Sequence, residues 1–136
     1  MALLLFIVIF VTQSSKQGTT QGNTQRRADV NTILSAIDAY DKKHDGQLPE
    51  GITEQSKMIA STTGAASINL CTSLVPDFVS TIPIDPGTGL AVPIGAKCNQ
   101  KDARYSSGYT VQLTPDKKVR VSAPGAEGSE AIFATN

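Results

Sequence analysis

The sequence predicts an α+β fold, a long N-terminal helix packed on a small C-terminal antiparallel β-sheet. Three patterns carry this: an apolar run at the start, a helical stripe from Val30 to Tyr40, and two alternating runs near the end. At 136 residues the chain is long enough for one ordinary domain and too short for two. One amphipathic helix can cover one face of a small sheet, which makes a two-layer unit the natural way to bury all three patterns.

Met1 to Val11 (MALLLFIVIFV) is apolar throughout, so Leu3, Leu4, Leu5, Phe6, Ile7, Val8, Ile9, Phe10 and Val11 show no solvent face. Eleven helical residues rise only about 16 Å, short of the roughly 20 residues that cross a bilayer. A cleavable secretory signal fits poorly, because no Lys or Arg precedes the run and no Ala-x-Ala follows it. The run is therefore expected to be part of a longer membrane helix, an element of a soluble core, or a segment buried among copies of itself.

Thr12 to Gln25 contains no large apolar side chain and includes Gly18 and Gly22. Each glycine costs about 1 kcal/mol in a helix relative to alanine, and Ser, Thr and Asn compete for backbone hydrogen bonds. The helix is expected to be interrupted between Thr12 and Asn23 and to restart near Thr24. Residues 1–25 thus form an apolar segment with a polar break, and residues 26–136 a globular head.

Val30, Ile33, Leu34, Ile37 and Tyr40 fall on one helical face, with Arg26, Arg27, Asp29, Asn31, Asp38, Asp41 and Lys42 read as its polar surroundings. Lys42, Lys43 and His44 suit the negative end of the helix dipole, and Gly46 offers a left-handed cap before Pro49. His44 has no second His or Cys beside it and reads as a solvated helix-end residue. Gly51 to Gly64 reads as loop, and Ala65 to Val75 as a second short helix stopped by Pro76. The stretch from Val75 to Gly89 is broken by prolines, and Gly87-Thr88-Gly89 reads as a turn, without the flanking strand and helix of a phosphate cradle. Tyr105 to Leu113 and Val119 to Ala123 alternate with period two and are joined by Thr114-Pro115-Asp116-Lys117, a hairpin connection, with Ala131 to Thr135 as a third strand.

Twelve basic and twelve acidic side chains cancel, so no long-range field draws the chain to phosphate backbones, and no specific nucleic-acid site is evident. A single His and no Trp leave little for catalysis, and no enzyme activity, cofactor or metal is expected. Asp85, Asp102 and Asp116 are possible calcium oxygens but lack the spacing of a dedicated loop. Cys71 and Cys98 are the only cysteines. In an exported chain their bond would contribute about 3.5 kcal/mol in the chain-entropy model, whereas in the cytosol both would stay reduced. We expect them to be bonded and to pin the intervening loops.

The segment QRRADVNTILSAIDAYDKKHDGQLPEG, then FVSTIPIDP, YSSGYTVQ and KVRVSAPGAE, in that order behind an apolar start, resembles the type IV pilin and pseudopilin family. Arg26 to Pro49 is similar to the family's R-x-x-D-x-x-x-I-x-x-A-I-x-x-Y pattern with a Gly-x-x-Pro turn. The resemblance implies a ladle-shaped subunit whose apolar half-helix, Leu3 to Val11, packs with other copies in a filament core. Gly18 and Gly22 then sit where such helices unwind. Leu5 stands where the family carries a glutamate if Met1 is the processed terminus, so the sequence is expected to begin partway along the family's helix. The implied function is that of a structural subunit of a surface filament serving adhesion, motility or DNA uptake. Its implied partners are identical subunits and an inner-membrane assembly machinery, and it would be membrane-embedded before assembly and extracellular after it. A pseudopilin of a type II-like secretion system and a monomeric exported adhesin are the alternatives.

Overall fold

The computed structural model describes the backbone of residues 2–136 and the side chains of residues 21–136. The chain is α+β: helix α1 (Ala2–Lys43) is followed by β1 (Lys57–Ala60), β2 (Ser67–Ile68), the single turn α2 (Cys71–Leu74), β3 (Leu90–Val92), β4 (Arg104–Leu113), β5 (Val119–Ser122) and β6 (Phe133–Thr135).

The stripe read from the sequence is the buried face of α1. Val30, Ile33, Leu34, Ala36 and Ile37 all lie in the core, facing Tyr109, Val111, Val119 and Val121 of β4 and β5. Each such side chain contributes about 1.5–3 kcal/mol by leaving water, so this face sets where the helix sits. The helix stops as its last residues suggest, with one change. Gly46 N–H reaches back to the Asp41 carbonyl at 2.9 Å, and both Asp45 (φ 54°) and Gly46 (φ 86°) are left-handed. The cap is thus shared between an aspartate and the glycine. The His44 ring stacks on Tyr40, centroids 3.8 Å apart, and its Nδ1 lies 2.8 Å from the Tyr40 carbonyl oxygen, so it is half-buried rather than free in solvent.

Helix α1 runs in one piece, against the expected interruption between Thr12 and Asn23. The reason is visible where side chains are described. Asn23 is buried and hydrogen-bonded to a distant loop, and Gly22 makes room for the Arg26 guanidinium, whose Nη1 would lie 3.1 Å from a Cβ at that position. At Gly22 and Asn23, polar tertiary contacts therefore supply the support that apolar ones do not. The surroundings of Leu3 to Val11 and of Gly18 lie outside the residues whose side chains are described. Among the described residues, no helix is long and apolar enough to cross a membrane.

The sheet is mixed rather than antiparallel, with strand order β2-β1-β4-β5-β6 and β3 paired to the first part of β4. β1 and β2 are parallel, Met58 facing Ser67 and Ile59 facing Ile68. Strands this short let the intervening loop carry the chain back without a crossover helix. The second helix expected over Ala65 to Val75 is replaced by β2 and the one-turn α2. Ile68 and Leu70 are buried with period two, and the Asn69 side-chain oxygen accepts the Cys71 N–H at 3.0 Å, which starts a new element there. The hairpin joining β4 and β5 forms as expected, in register from Thr110↔Ser122 to Leu113↔Val119.

Cys71 and Cys98 are bonded, closing a span of 27 positions. The bond ties α2 to the loop after β3. Replacing both cysteines with serine should lower unfolding free energy by about 2–4 kcal/mol. Urea denaturation under non-reducing conditions measures it, and an unchanged midpoint would mean the loops are held by other contacts.

Candidate functional site

The unexpected feature of the head is a charged cluster inside it. Arg26 and Asp85 are each 1% exposed. Arg26 Nε donates to Asp85 Oδ2 at 2.7 Å and Nη2 donates to Oδ1 at 3.1 Å, a two-pronged pair that matches the guanidinium fork to a carboxylate. Nη1 donates to Asn23 Oδ1 at 3.1 Å and lies 3.5 Å from the half-exposed Glu127 carboxylate. Asp85 Oδ1 also accepts the backbone N–H groups of Gly87 and Thr88, both at 2.8 Å. Every buried side-chain nitrogen and oxygen among the described residues has a partner.

Glycines make this burial possible. A Cβ at Gly87 would lie 2.9 Å from Arg26 Nη2, and one at Gly125 2.8 Å from Thr88 Oγ1. At Gly89 it would meet Ile84 Cγ2 at 2.4 Å, and at Gly108 it would meet Asp85 Cβ at 2.6 Å. Gly108 has φ +81° and sits where β4 bulges: between Met58↔Thr110 and Ala60↔Ser106, β4 advances four residues while β1 advances two. The bulge opens β4 towards the loop from Asp85 to Gly89, and Asp85 N–H donates to the Ser107 carbonyl at 2.7 Å. Gly87-Thr88-Gly89 is indeed a turn, but its glycines serve the packing of a carboxylate.

A second polar tie lies one turn along the helix. Tyr109 of β4 donates its hydroxyl to Asp29 Oδ2 at 2.5 Å, while Gln25 Nε2 donates to Asp29 Oδ1 at 2.7 Å. Asn23 makes a third, its Nδ2 donating to the Glu127 carbonyl at 2.9 Å and its Oδ1 accepting the Glu127 N–H at 3.0 Å. Asn23, Arg26 and Asp29 therefore continue the apolar stripe of Val30, Ile33 and Ile37 backwards in polar form.

The electrostatics follow from these partners. Burial pushes the Asp85 carboxyl pKa upward, but hydrogen bonds from Arg26 and from the Thr88 and Gly87 N–H groups outweigh it and bring it down to about 2. The hydrogen bond to Asp85 holds the Arg26 guanidinium even more firmly protonated than usual, against the opposing effect of burial. Burial first, and the hydrogen bond to Asp29 second, raise Tyr109 well above the phenol range, while burial raises Tyr105 to about 12. These four groups keep one protonation state at neutral pH and act as fixed donors and acceptors.

The sequence placed Arg26 and Asp29 among the polar surroundings of the stripe and Asp85 among possible metal oxygens. All three are buried instead. The available signal was spacing: Arg26 precedes Val30 by four residues and Asp29 precedes Ile33 by four, which puts both on the core face. Asp85, Asp102 and Asp116 are not brought together. Asp116 accepts from Thr114 Oγ1 at 2.5 Å and Asp102 lies exposed in a turn with φ 61°. Among the described residues no three His, Cys, Asp or Glu side chains stand close enough to hold a metal.

The chain matches no protein-family model, no curated protein and no solved structure.

Proposed function

We propose that this protein is a structural subunit of a type IV pilus-like surface filament, polymerising through the apolar segment from Met1 to Val11. The observation that carries the reading is the division of labour along one helix. From Asn23 onward the side chains of α1 are committed to the head, by three polar ties and then an apolar stripe. The opposite end of the same helix carries the consecutive apolar residues from Ala2 to Val11. Left in water, that area would cost many kcal/mol at about 25 cal/mol per Å², so a role that buries it among copies or in a membrane suits it. The bonded Cys71 and Cys98 and the fully engaged polar cluster suit a durable head whose work is to hold its shape. Function then belongs to the fibre, through adhesion, motility or uptake, rather than to a reactive group on one copy.

Immuno-electron microscopy of the source cells with an antibody raised against the folded head tests this. Label running along long thin surface fibres is expected, lost when Ile7 and Ile9 are both replaced with lysine. Label confined to the cell envelope would replace the reading with a secretion-system pseudopilin. Full-length protein that stays monomeric without detergent, with no labelled fibres, would overturn it in favour of a monomeric exported head.

A further inference from the structure

A subunit held in a fibre by one end of its helix transmits load into its head through that helix, and the order of contacts along α1 bears on how the load is carried. Among the residues whose side chains are described, the first buried ones from the N-terminal side are Asn23, Arg26 and Asp29, one per turn, and only then Val30, Ile33, Leu34 and Ile37. The three polar residues grip separate parts of the head. Asn23 pairs with the backbone of Glu127, in the loop that Ala123 and Ile132 close by a 2.9 Å hydrogen bond. Arg26 grips Asp85, whose backbone is bound to Ser107 of β4, and Asp29 is held by Tyr109 of the same strand. Two of the three ties thus end on β4, which pairs with β1, β3 and β5.

We infer that Asn23, Arg26 and Asp29 form a force-bearing latch, the element that resists detachment of α1 from the head when the helix is pulled from its N-terminal end; this rests on the filament reading for the origin of the load. Hydrogen bonds, including the two prongs of the Arg26–Asp85 pair, need a narrow range of distance and angle, so they resist the first small displacement steeply, whereas apolar contacts give way gradually as surface is exposed. Placed ahead of the apolar stripe, the polar ties meet the load first and shield the core behind them. Arg26 is the centre of the latch because its partner is itself fixed by two backbone donors, so the load passes into the turn from Asp85 to Gly89 rather than into a mobile side chain. Arg27 pairs through an exposed side chain with exposed Glu130, which accepts from Asn23 Nδ2 at 3.3 Å, so it touches the latch only at its solvent-facing edge and grips neither β4 nor the turn at Asp85.

Single-molecule pulling on the full chain in detergent tests the latch directly, with one handle at the N-terminus and one at Thr63, in the exposed loop between β1 and β2. The expected result is that Arg26→Met raises the rate of head rupture at fixed force by tenfold or more, while Arg27→Met leaves it within twofold. A core variant, Ile37→Val, supplies the readout that separates a latch from general stability: it should lower equilibrium stability yet change the rupture rate far less per unit of stability lost. Asn23→Ala, which removes the ties to Glu127, Glu130 and Arg26, should move the rate in the same direction as Arg26→Met and serves if that variant does not fold. Rupture rates for Arg26→Met or Asn23→Ala equal to the wild type, or Ile37→Val acting as strongly per unit of stability, would overturn the inference. The pulling experiment uses single molecules, so its failure is distinct from an absence of labelled fibres, which would instead remove the filament reading.

Discussion

Replacing Arg26 with methionine lowers the unfolding free energy of the head by about 3–5 kcal/mol, because it leaves the Asp85 charge buried without its counter-ion. Methionine is chosen for its similar length, so the loss is electrostatic more than steric. The paired variant Arg26→Met with Asp85→Asn should cost clearly less than the sum of the single changes. Its amide oxygen still accepts the Gly87 and Thr88 N–H groups, and no charge is left stranded. Arg27→Met, which removes an exposed pair, should stay within about 1 kcal/mol of the wild type. Urea denaturation of the wild type, the two single variants, the double variant and Arg27→Met measures these values, and additivity of Arg26→Met and Asp85→Asn would show that the two groups do not act as a unit. The same pair gives a pH signature. The folded-state pKa of Asp85 is depressed to about 2, so its contribution is present in full above the ordinary carboxylate range and is lost as pH falls from about 4 through 2. The direction is a loss of stability on acidification, worth about 2 kcal/mol from this group, and the slope should flatten in Arg26→Met.

Gly108→Ala should be as damaging as the loss of a buried ion pair, although alanine is the smallest side chain available. Two costs add there. The left-handed backbone, φ +81°, penalises any Cβ by about 1–2 kcal/mol. The new atom would lie 2.6 Å from both Asp85 Cβ and Thr88 Oγ1, an overlap that adds about 1–3 kcal/mol. The expected total is about 2–5 kcal/mol, with the larger value if the turn from Asp85 to Gly89 is displaced and Arg26 loses its partner. Two other glycines separate the components. Gly95 shares the positive φ (+76°) but meets nothing within 4 Å, so Gly95→Ala should show the backbone cost alone. Gly64 has neither constraint, and Gly64→Ala should be neutral or stabilising by up to about 1 kcal/mol. A melting series in which Gly108→Ala and Gly95→Ala fall together would mean that the contact with Asp85 carries no cost.

The sequence by itself determined the class of fold, the core face of the helix and the β4–β5 hairpin. Those features are written in periodicity: Val30, Ile33, Leu34 and Ile37 at helical spacing, and Val111 and Leu113 paired with Val121 and Val119 at strand spacing. It also left Cys71 with one possible intramolecular partner, and the two are joined. Only the tertiary structure decided the rest. β1 and β2 are too short to show a period, and β2 joins the sheet as an edge strand through β1, which alone of the two pairs with β4. The burial of Asn23, Arg26 and Asp29 could not be read from residue type, because a charged group enters a core only when its partner is waiting there, and Asp85 lies 59 positions away in sequence. The polar stretch before Arg26 shows the same limit from the other side. Local propensity favours a break at Gly22 and Asn23, yet the helix continues, because a helical backbone there places Asn23 against Glu127 and leaves space beside Gly22 for the guanidinium. Periodicity is a local property and survives in the sequence, whereas long-range polar pairing is decided by which distant groups the fold brings within hydrogen-bond reach.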